Sequence, residues 1–154
     1  ISVGWLERKN SFLSAILEGQ HRKCLEIANE SIKTVKDIEQ FYMQIIQPVM
    51  YEVGMLWERA DISIAQEHLA SAIVSRVMAT TSMVDIYPTP TKGKAIISAA
   101  PNEFHEIGAW MVSDILEFDG WEVRYLGANT PVMDLLELLL CYFFQLHLLA
   151  KLNR

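Results

Sequence analysis

The segment YPTPTKG, Tyr87 to Gly93, separates two stretches of the chain whose hydrophobic patterns differ. Two prolines and one glycine within seven residues favour a linker over a helix or a strand. Before this segment, apolar residues recur at the spacing of amphipathic helices; after it, short apolar runs alternate with helical ones. The sequence therefore predicts an all-α domain over residues 1–87, a linker over 88–93 and an α/β domain over 94–154.

The first domain is predicted to be a four-helix bundle. Two of its helices begin with a capping box, in which a hydroxyl residue is followed three positions later by an acid or an amide: Thr34 with Asp37, and Ser63 with Gln66. Between them, Pro48 must kink a helix or begin a new one, because proline has no backbone N–H. The apolar stripe around this proline comprises Ile38, Phe41, Ile45, Ile46, Val49, Val53 and Leu56.

The second domain has the order β-α-β-α. KAIISAA, from Lys94, is a continuous apolar run typical of a buried strand, and GWEVRYLG, from Gly120, predicts a second strand. One helix is predicted between the strands and another after them, with Thr130 as N-cap and Pro131 at the first helical position. This order begins a parallel doubly wound sheet, in which ligands bind beyond the carboxyl ends of the strands.

Composition narrows the class of protein. The net charge is −6 and the basic residues are scattered, so no direct contact with nucleic acid is expected. Cys24 and Cys141 have no metal or redox spacing, which indicates a reducing cytoplasm. The apolar C-terminal stretch is interrupted by Glu137, Gln145 and His147, and it is too short for a transmembrane helix. We therefore expect that stretch to pack as a buried helix or at a dimer interface.

The stretch NEFHEIG, Asn102 to Gly108, follows the first predicted strand. Asn102 is expected to cap the next helix and to place His105 in its first turn, where the helix dipole favours neutral imidazole. Glu103 lies close enough to accept the other ring N–H, which fixes the tautomer of a metal-ligating histidine. Gly108 leaves room for a bulky group. On these residues alone, His105 is either an exposed loop residue or a metal ligand.

The pattern Glu103-x-His105-x-x-Gly108 resembles the Asp-x-His-x-x-Gly signature of cobalamin-binding domains. This resemblance implies that His105 is the lower axial ligand of cobalt, in place of the cofactor's own dimethylbenzimidazole, and that Glu103 hydrogen-bonds it. Glutamate in place of aspartate is similar to the regulatory, light-sensing branch of the family. GWEVRYLGANTP resembles the second strand and turn of the same family, which makes Gly127 and Thr130 expected cofactor contacts.

The helical half carries a second resemblance. Trp57, followed after nine residues by Glu67 and His68, is similar to the four-helix cap of the adenosylcobalamin photoreceptors. It implies that Trp57 covers the upper face of the corrin, that Glu67 hydrogen-bonds the adenosyl ribose, and that His68 lines the same pocket. The photoreceptors have a cobalt-ligating histidine directly after the tryptophan, where this chain has Glu58. Without the other motif, Trp57 would be a core residue and the Glu-His pair would be solvated.

A complete cobalamin domain has five parallel strands, and its later strands hold the nucleotide tail of the cofactor. The C-terminal part of that domain is expected to be missing here. Because the chain starts at Ile1 rather than Met, we also expect a fragment or a processed chain. The predicted fold is a four-helix bundle followed by a truncated flavodoxin-like or Rossmann-like parallel α/β cobalamin domain.

Three functions are compatible with these residues. The leading prediction is a cytoplasmic, non-enzymatic sensory module that binds adenosylcobalamin, regulates transcription and acts through a homo-oligomer, an effector domain or a partner protein, without membrane contact. The second is a corrinoid carrier of a methyltransferase system, with methylcobalamin; such proteins usually have Asp before the histidine and lack the Trp and Glu-His motif. The third is a degenerate interaction module without cofactor. A zinc hydrolase is disfavoured, because no second histidine follows His105-Glu106 at the required spacing.

Overall fold

The computed structural model describes residues 3–81 and 88–144. The chain divides into two compact units, residues 1–87 and 88–154. The described part of the first is helical, and that of the second is a parallel sheet with helices, so the predicted fold class is confirmed. The helices of the first unit are α1 (Val3–Leu17), α2 (His21–Ser31), α3 (Val35–Phe41), a π-helical segment (Tyr42–Ile46), α4 (Gln47–Glu58) and α5 (Ile64–Thr81). The elements of the second unit are β1 (Gly93–Ile97), α6 (Ile107–Phe118), β2 (Trp121–Tyr125) and α7 (Val132–Phe144).

The helical unit has a dry apolar core to which every helix contributes. Phe12 and Phe41 meet edge to face at its centre, with ring centroids 5.8 Å apart. The predicted stripe is buried from Ile38 to Val53, and Leu56 is half-buried. Leu69 of α5 is 45% exposed. The core side chains with almost no exposure are Phe12, Ile16, Ile38, Phe41, Tyr42, Ile45, Ile46, Val49, Val53, Val74, Val77 and Met78.

The chain accommodates Pro48 by widening the helix just before it. Residues Tyr42–Ile46 form a π-helical segment, and Pro48 stands in the first turn of α4. A π-helical segment shifts the backbone hydrogen bonds by one residue, so the carbonyl that would clash with the proline ring is displaced. The predicted interruption at Pro48 is therefore present as a local widening within a continuous helical run.

Both predicted capping boxes are present. The backbone N–H of Thr34 donates to the Asp37 carboxylate at 2.7 Å, and that of Ser63 donates to the Gln66 amide oxygen at 2.9 Å. The Lys33 N–H also donates to Asp37, and these backbone bonds lower the pKa of the Asp37 carboxyl. The boxes satisfy N–H groups that the helix itself leaves without partners. The predicted continuation of the last helix toward Tyr87 lies outside the described residues.

In the second unit, β1 and β2 form a parallel pair in which Gly93 lies opposite Trp121 and Ile97 opposite Tyr125. Helix α6 packs on this pair, and Trp110 of α6 stacks on Tyr125 at 6.1 Å. β1 begins at Gly93, which the sequence had assigned to the linker. The strand was predicted to be buried, but its apolar residues are only half-buried. A sheet of two strands is small, and the helices that pack on it do not cover both of its faces.

The stretch that contains α7 was expected to pack as a buried helix or at a dimer interface, and the first of these two expectations is wrong for the described part of α7. Tyr142 is its one buried residue with a described side chain, while Val132, Met133, Leu136, Leu140 and Phe143 are each more than a third exposed. Gln145 and His147 lie outside the described residues. The helix begins at Val132 rather than Pro131, which leaves Thr130 before the N-cap position. No helix within residues 3–81 and 88–144 is long and apolar enough to cross a membrane.

Candidate functional site

Trp57 is at the end of α4, where the chain turns sharply toward α5. The Asp61 N–H donates to the Leu56 carbonyl at 2.9 Å, and Ala60 has a left-handed backbone with φ +59°. A residue in this conformation after a helix, with that backbone hydrogen bond, is the Schellman ending. The tight ending leaves the Trp57 indole at the surface with 48% of the residue exposed. Trp57 is therefore not a core residue.

Glu67 is in the first turn of α5 and is held by two neighbours. The Ser71 hydroxyl donates to its Oε1 at 2.8 Å, and the His68 Nδ1 lies 2.6 Å from its Oε2. The Glu67 side chain is only 16% exposed, whereas that of His68 is 71% exposed. If these motif residues had no ligand, we would expect a buried tryptophan and a solvated glutamate. Trp57 and Glu67 depart from this expectation, with an exposed indole and a sheltered carboxylate, whereas His68 is solvated as expected.

In the second unit, the predicted cap at Asn102 is wrong. The Glu103 N–H donates to the Ala100 carbonyl at 3.0 Å, and Asn102 has φ +66°. Pro101 followed by a residue with positive φ, closed by this hydrogen bond, is typical of a type II turn. The N-cap of α6 is Glu106, and the first helical residue is Ile107. His105 thus precedes the helix, and the expected effect of the helix dipole on its charge has no structural basis.

The interaction predicted between Glu103 and His105 is present. Glu103 Oε1 accepts the backbone N–H of His105 at 2.7 Å and lies 2.6 Å from Nδ1 of the ring. The backbone hydrogen bond, and then that of the ring, lowers the pKa of the Glu103 carboxyl. A carboxylate can only accept a hydrogen bond, so this contact favours the tautomer with its proton on Nδ1, in which Nε2 has the lone pair. The His105 side chain is 86% exposed, so Nε2 is open to a ligand.

The remaining predicted residues lie at the same strand ends. Gly127 has φ +73°, and a Cβ there would meet the Glu106 carboxylate at 3.1 Å, so only glycine fits without displacement. Thr130 accepts a hydrogen bond from the Ser98 hydroxyl at 3.0 Å instead of capping α7. A Cβ at Gly108 would meet nothing within 4 Å. The structure thus brings Glu103, His105, Gly127 and Thr130 to the carboxyl ends of β1 and β2, with open space at Gly108.

Ser98 was not predicted from the sequence, and its hydroxyl connects the end of β1 to the loop after β2. It donates to Thr130 and also approaches the Gly127 carbonyl at 3.4 Å. A hydroxyl residue near the carboxyl end of the predicted strand KAIISAA could have signalled this role. Within the described ranges, no three His, Cys, Asp or Glu side chains are grouped to hold a metal ion. His105 could bind a metal only if other ligands come from elsewhere, as they do in a macrocycle.

Comparisons with known proteins relate both halves of the chain to corrinoid proteins. Residues 9–81 match the family model described as "B12 binding domain". The chain is 30% identical over 106 residues to the HTH-type transcriptional repressor CarA of Myxococcus xanthus, covering 69% of this chain and 35% of that protein. It is 25% identical over 127 residues to the repressor CarH of the same organism, covering 82% of this chain and 42% of the relative.

Two further similarities are to corrinoid proteins of methanogens. Dimethylamine corrinoid protein 3 of Methanosarcina acetivorans is 24% identical over 124 residues, covering 80% of this chain and 58% of that protein. The solved monomethylamine corrinoid protein of Methanosarcina barkeri superposes with a TM-score of 0.69 at 20% identity, over 86% of this chain and 62% of that one. This last likeness supports the fold alone. The chain spans between about a third and three-fifths of the curated relatives' lengths.

Proposed function

Because residues 9–81 belong to the B12 binding domain family and the chain is homologous to two transcriptional repressors, we propose that it is a cobalamin-binding sensory and regulatory module. Its proposed cofactor is adenosylcobalamin and its proposed input is light. The observation that carries the proposal is the Glu103–His105 pair, in which the carboxylate holds Nδ1 of an exposed imidazole and Nε2 is the ring nitrogen left for a ligand.

The residues of the α/β unit fit a corrin that takes its lower axial ligand from the protein. Nε2 of His105 is the atom that would bind cobalt, while Glu103 holds the proton on Nδ1 and makes the imidazole a better donor. Open space at Gly108 suits a large planar group beside the histidine. Gly127 and Thr130, at the neighbouring strand end, would contact the same cofactor.

Three residues of the helical unit, taken by itself, suit contact with the adenosyl group of such a cofactor. The half-exposed indole of Trp57 is a flat apolar surface that would exclude water from an adenosyl group. Glu67 is sheltered, and its carboxylate oxygens retain lone pairs for sugar hydroxyls, while His68 stands beside it. When bound, adenosylcobalamin supplies a cobalt–carbon bond that light can break.

We propose that the helices around Trp57 would move if an adenosyl group bound there were lost, and that this movement would change an oligomeric or effector interface. A ligand can shift the equilibrium between two such conformations only as far as its affinities for them differ. Glu58 cannot act as the cobalt-ligating histidine that follows the tryptophan in the photoreceptors. The light state of this chain is therefore proposed to differ in its upper ligand.

The test is an absorption spectrum of the protein with adenosylcobalamin, in the dark and after illumination. We expect a dark spectrum with histidine bound to cobalt and a light-dependent change. His105→Ala should remove the histidine-bound spectrum, with His21→Ala as a control for the loss of an imidazole elsewhere. Trp57→Ala should release the adenosyl cofactor faster, with Trp5→Ala as its control. Identical spectra with and without His105 would exclude the axial-ligand role.

The corrinoid-carrier alternative is supported by the similarity to dimethylamine corrinoid protein 3. A carrier would bind methylcobalamin and exchange its methyl group with a partner methyltransferase. Light-dependent bleaching without methyl exchange favours the sensor, and methyl exchange with a corrinoid methyltransferase favours the carrier. Absence of any cobalamin binding would instead indicate an interaction module that has lost the cofactor.

A further inference from the structure

The loop that carries His105 is not held by regular secondary structure or by burial of its Glu103 and His105 side chains. Residues 103–106 are neither helix nor strand, and the side chains of Glu103 and His105 are 47% and 86% exposed. Packing therefore does not fix the imidazole, and its orientation depends on where the backbone holds Glu103. A ligand that must meet one metal atom along one direction needs support from outside its own loop.

Asn129, in the loop after β2, supplies that support through two hydrogen bonds. Its side-chain oxygen accepts the Asn102 N–H at 2.9 Å, and its own N–H donates to the Glu103 carbonyl at 3.1 Å. The two hydrogen bonds fix the backbone N–H of Asn102 and the carbonyl of Glu103, one on each side of the peptide bond that joins these residues. A backbone N–H can only donate, so the amide oxygen of Asn129 must be the atom that faces it.

The local backbone explains why asparagine suits this position. Asn129 has φ +53°, in the left-handed region that asparagine, aspartate and glycine adopt more readily than other residues. Glycine would fit the backbone but would lose the acceptor, and aspartate would keep both. The register of β1 and β2 brings the two loops together, and the Ala99 N–H bond to the Gly127 carbonyl at 3.0 Å extends the contact.

We infer that Asn129 is a positioning residue for His105: it holds the backbone of Glu103 so that this carboxylate stays on Nδ1 and Nε2 remains the free ligand atom. Asn129 does not contact a metal in this arrangement and acts through Glu103. The inference rests on the proposed function, in which His105 binds cobalt. The family signature contains the histidine and its acid, and the contact from the loop after β2 is a property of the described structure.

The first test uses the cofactor-free protein and compares Asn129→Gly with Asn129→Asp. In Asn129→Gly, the Asn102 amide should exchange with solvent about two to ten times faster, the range for one lost hydrogen bond. The ¹⁵N shifts of His105 should move from the Nδ1–H tautomer toward a mixture of both. Asn129→Asp should restore both signals. Unchanged exchange and an unchanged tautomer in Asn129→Gly would overturn the inference.

The second test uses the cobalamin-loaded protein. Asn129→Gly should lower the fraction of protein molecules in which histidine is bound to cobalt, again by about two to ten times. Asn129→Asp should restore that fraction. If the unsubstituted protein shows no His105-dependent spectrum, the proposed function fails, while the exchange and tautomer data still decide the role of Asn129. If that spectrum is present and Asn129→Gly does not change it, only the positioning role is refuted.

Discussion

Tyr142 should anchor helix α7 to the sheet. Its hydroxyl donates to the Glu122 carbonyl at 2.9 Å, and the Lys94 ammonium and the Arg124 guanidinium each lie 4.9 Å from the centroid of its ring. The Lys94 ammonium also donates to the Tyr142 carbonyl at 3.3 Å. These contacts join the C-terminal helix to both strands, so removal of the ring should destabilise β1 and β2 as well as α7.

The expected free energies follow from these contacts. Tyr142→Phe removes one hydrogen bond, which contributes about 1 kcal/mol. Tyr142→Ala also removes a buried ring, at a cost of about 3 kcal/mol, and two exposed cation–π contacts of about 0.5 kcal/mol each. Since about 1.4 kcal/mol corresponds to a factor of ten, amides of β1 and β2 should exchange about fivefold faster in the first variant. In the second, where these losses amount to about 5 kcal/mol, they should exchange about four-thousandfold faster or lose protection altogether.

Hydrogen exchange of the β1 and β2 amides is the suitable assay, because it separates the α/β unit from the helical unit. Met133→Ala is the matched control, since Met133 is on the same helix and 75% exposed. It should change exchange by less than twofold, as exposed substitutions cost about 0.5 kcal/mol or less. If Tyr142→Ala has no larger effect than Met133→Ala, α7 is not anchored to the sheet through Tyr142.

Three further predictions concern the helical unit and the cysteines. Ala60→Gly should raise the free energy of unfolding, measured by thermal denaturation, by about 0.5 kcal/mol. The variant relieves about 1–2 kcal/mol of strain in the left-handed backbone, which exceeds the entropic cost of a glycine. A lower melting temperature would contradict this. The Lys33 N–H bond chiefly lowers the folded-state pKa of Asp37, so its contribution is complete above the unfolded-state pKa and is lost as the pH falls through the folded-state value. Asp37→Asn should therefore flatten the acid limb of a stability–pH curve, and an unchanged limb would refute the contribution. Burial raises the pKa of the Cys24 thiol to about 11, whereas Cys141 is half-buried. A thiol reagent at pH 8 should therefore modify Cys141 first and react with Cys24 only when the protein unfolds. Fast modification of Cys24 in the Cys141→Ser variant would contradict this.

The features that the sequence predicted correctly depend on neighbours within a few positions. The pairs Thr34 with Asp37 and Glu103 with His105 are three and two residues apart, so residue type and spacing almost fix their hydrogen bonds. The error at Asn102 had the same local origin, because Pro101-Asn102 is also a turn pattern that competes with an N-cap. Hydrophobic periodicity alone was enough to predict the change from helices in the first half of the chain to a β-α-β order in the second.

Contacts between distant residues required the tertiary structure. Asn129 and Asn102 are 27 positions apart, and only the parallel register of β1 with β2 brings their loops within hydrogen-bonding distance. The exposure of Trp57 and the shelter of Glu67 depend on how α4 ends and α5 packs, which a periodic pattern does not encode. Residue order alone determined the types of element and the local caps, because these arise from hydrogen bonds along the backbone. Burial and the hydrogen bonds that hold the loop of His105 were decided by the tertiary structure, because they depend on the atoms that other segments bring nearby.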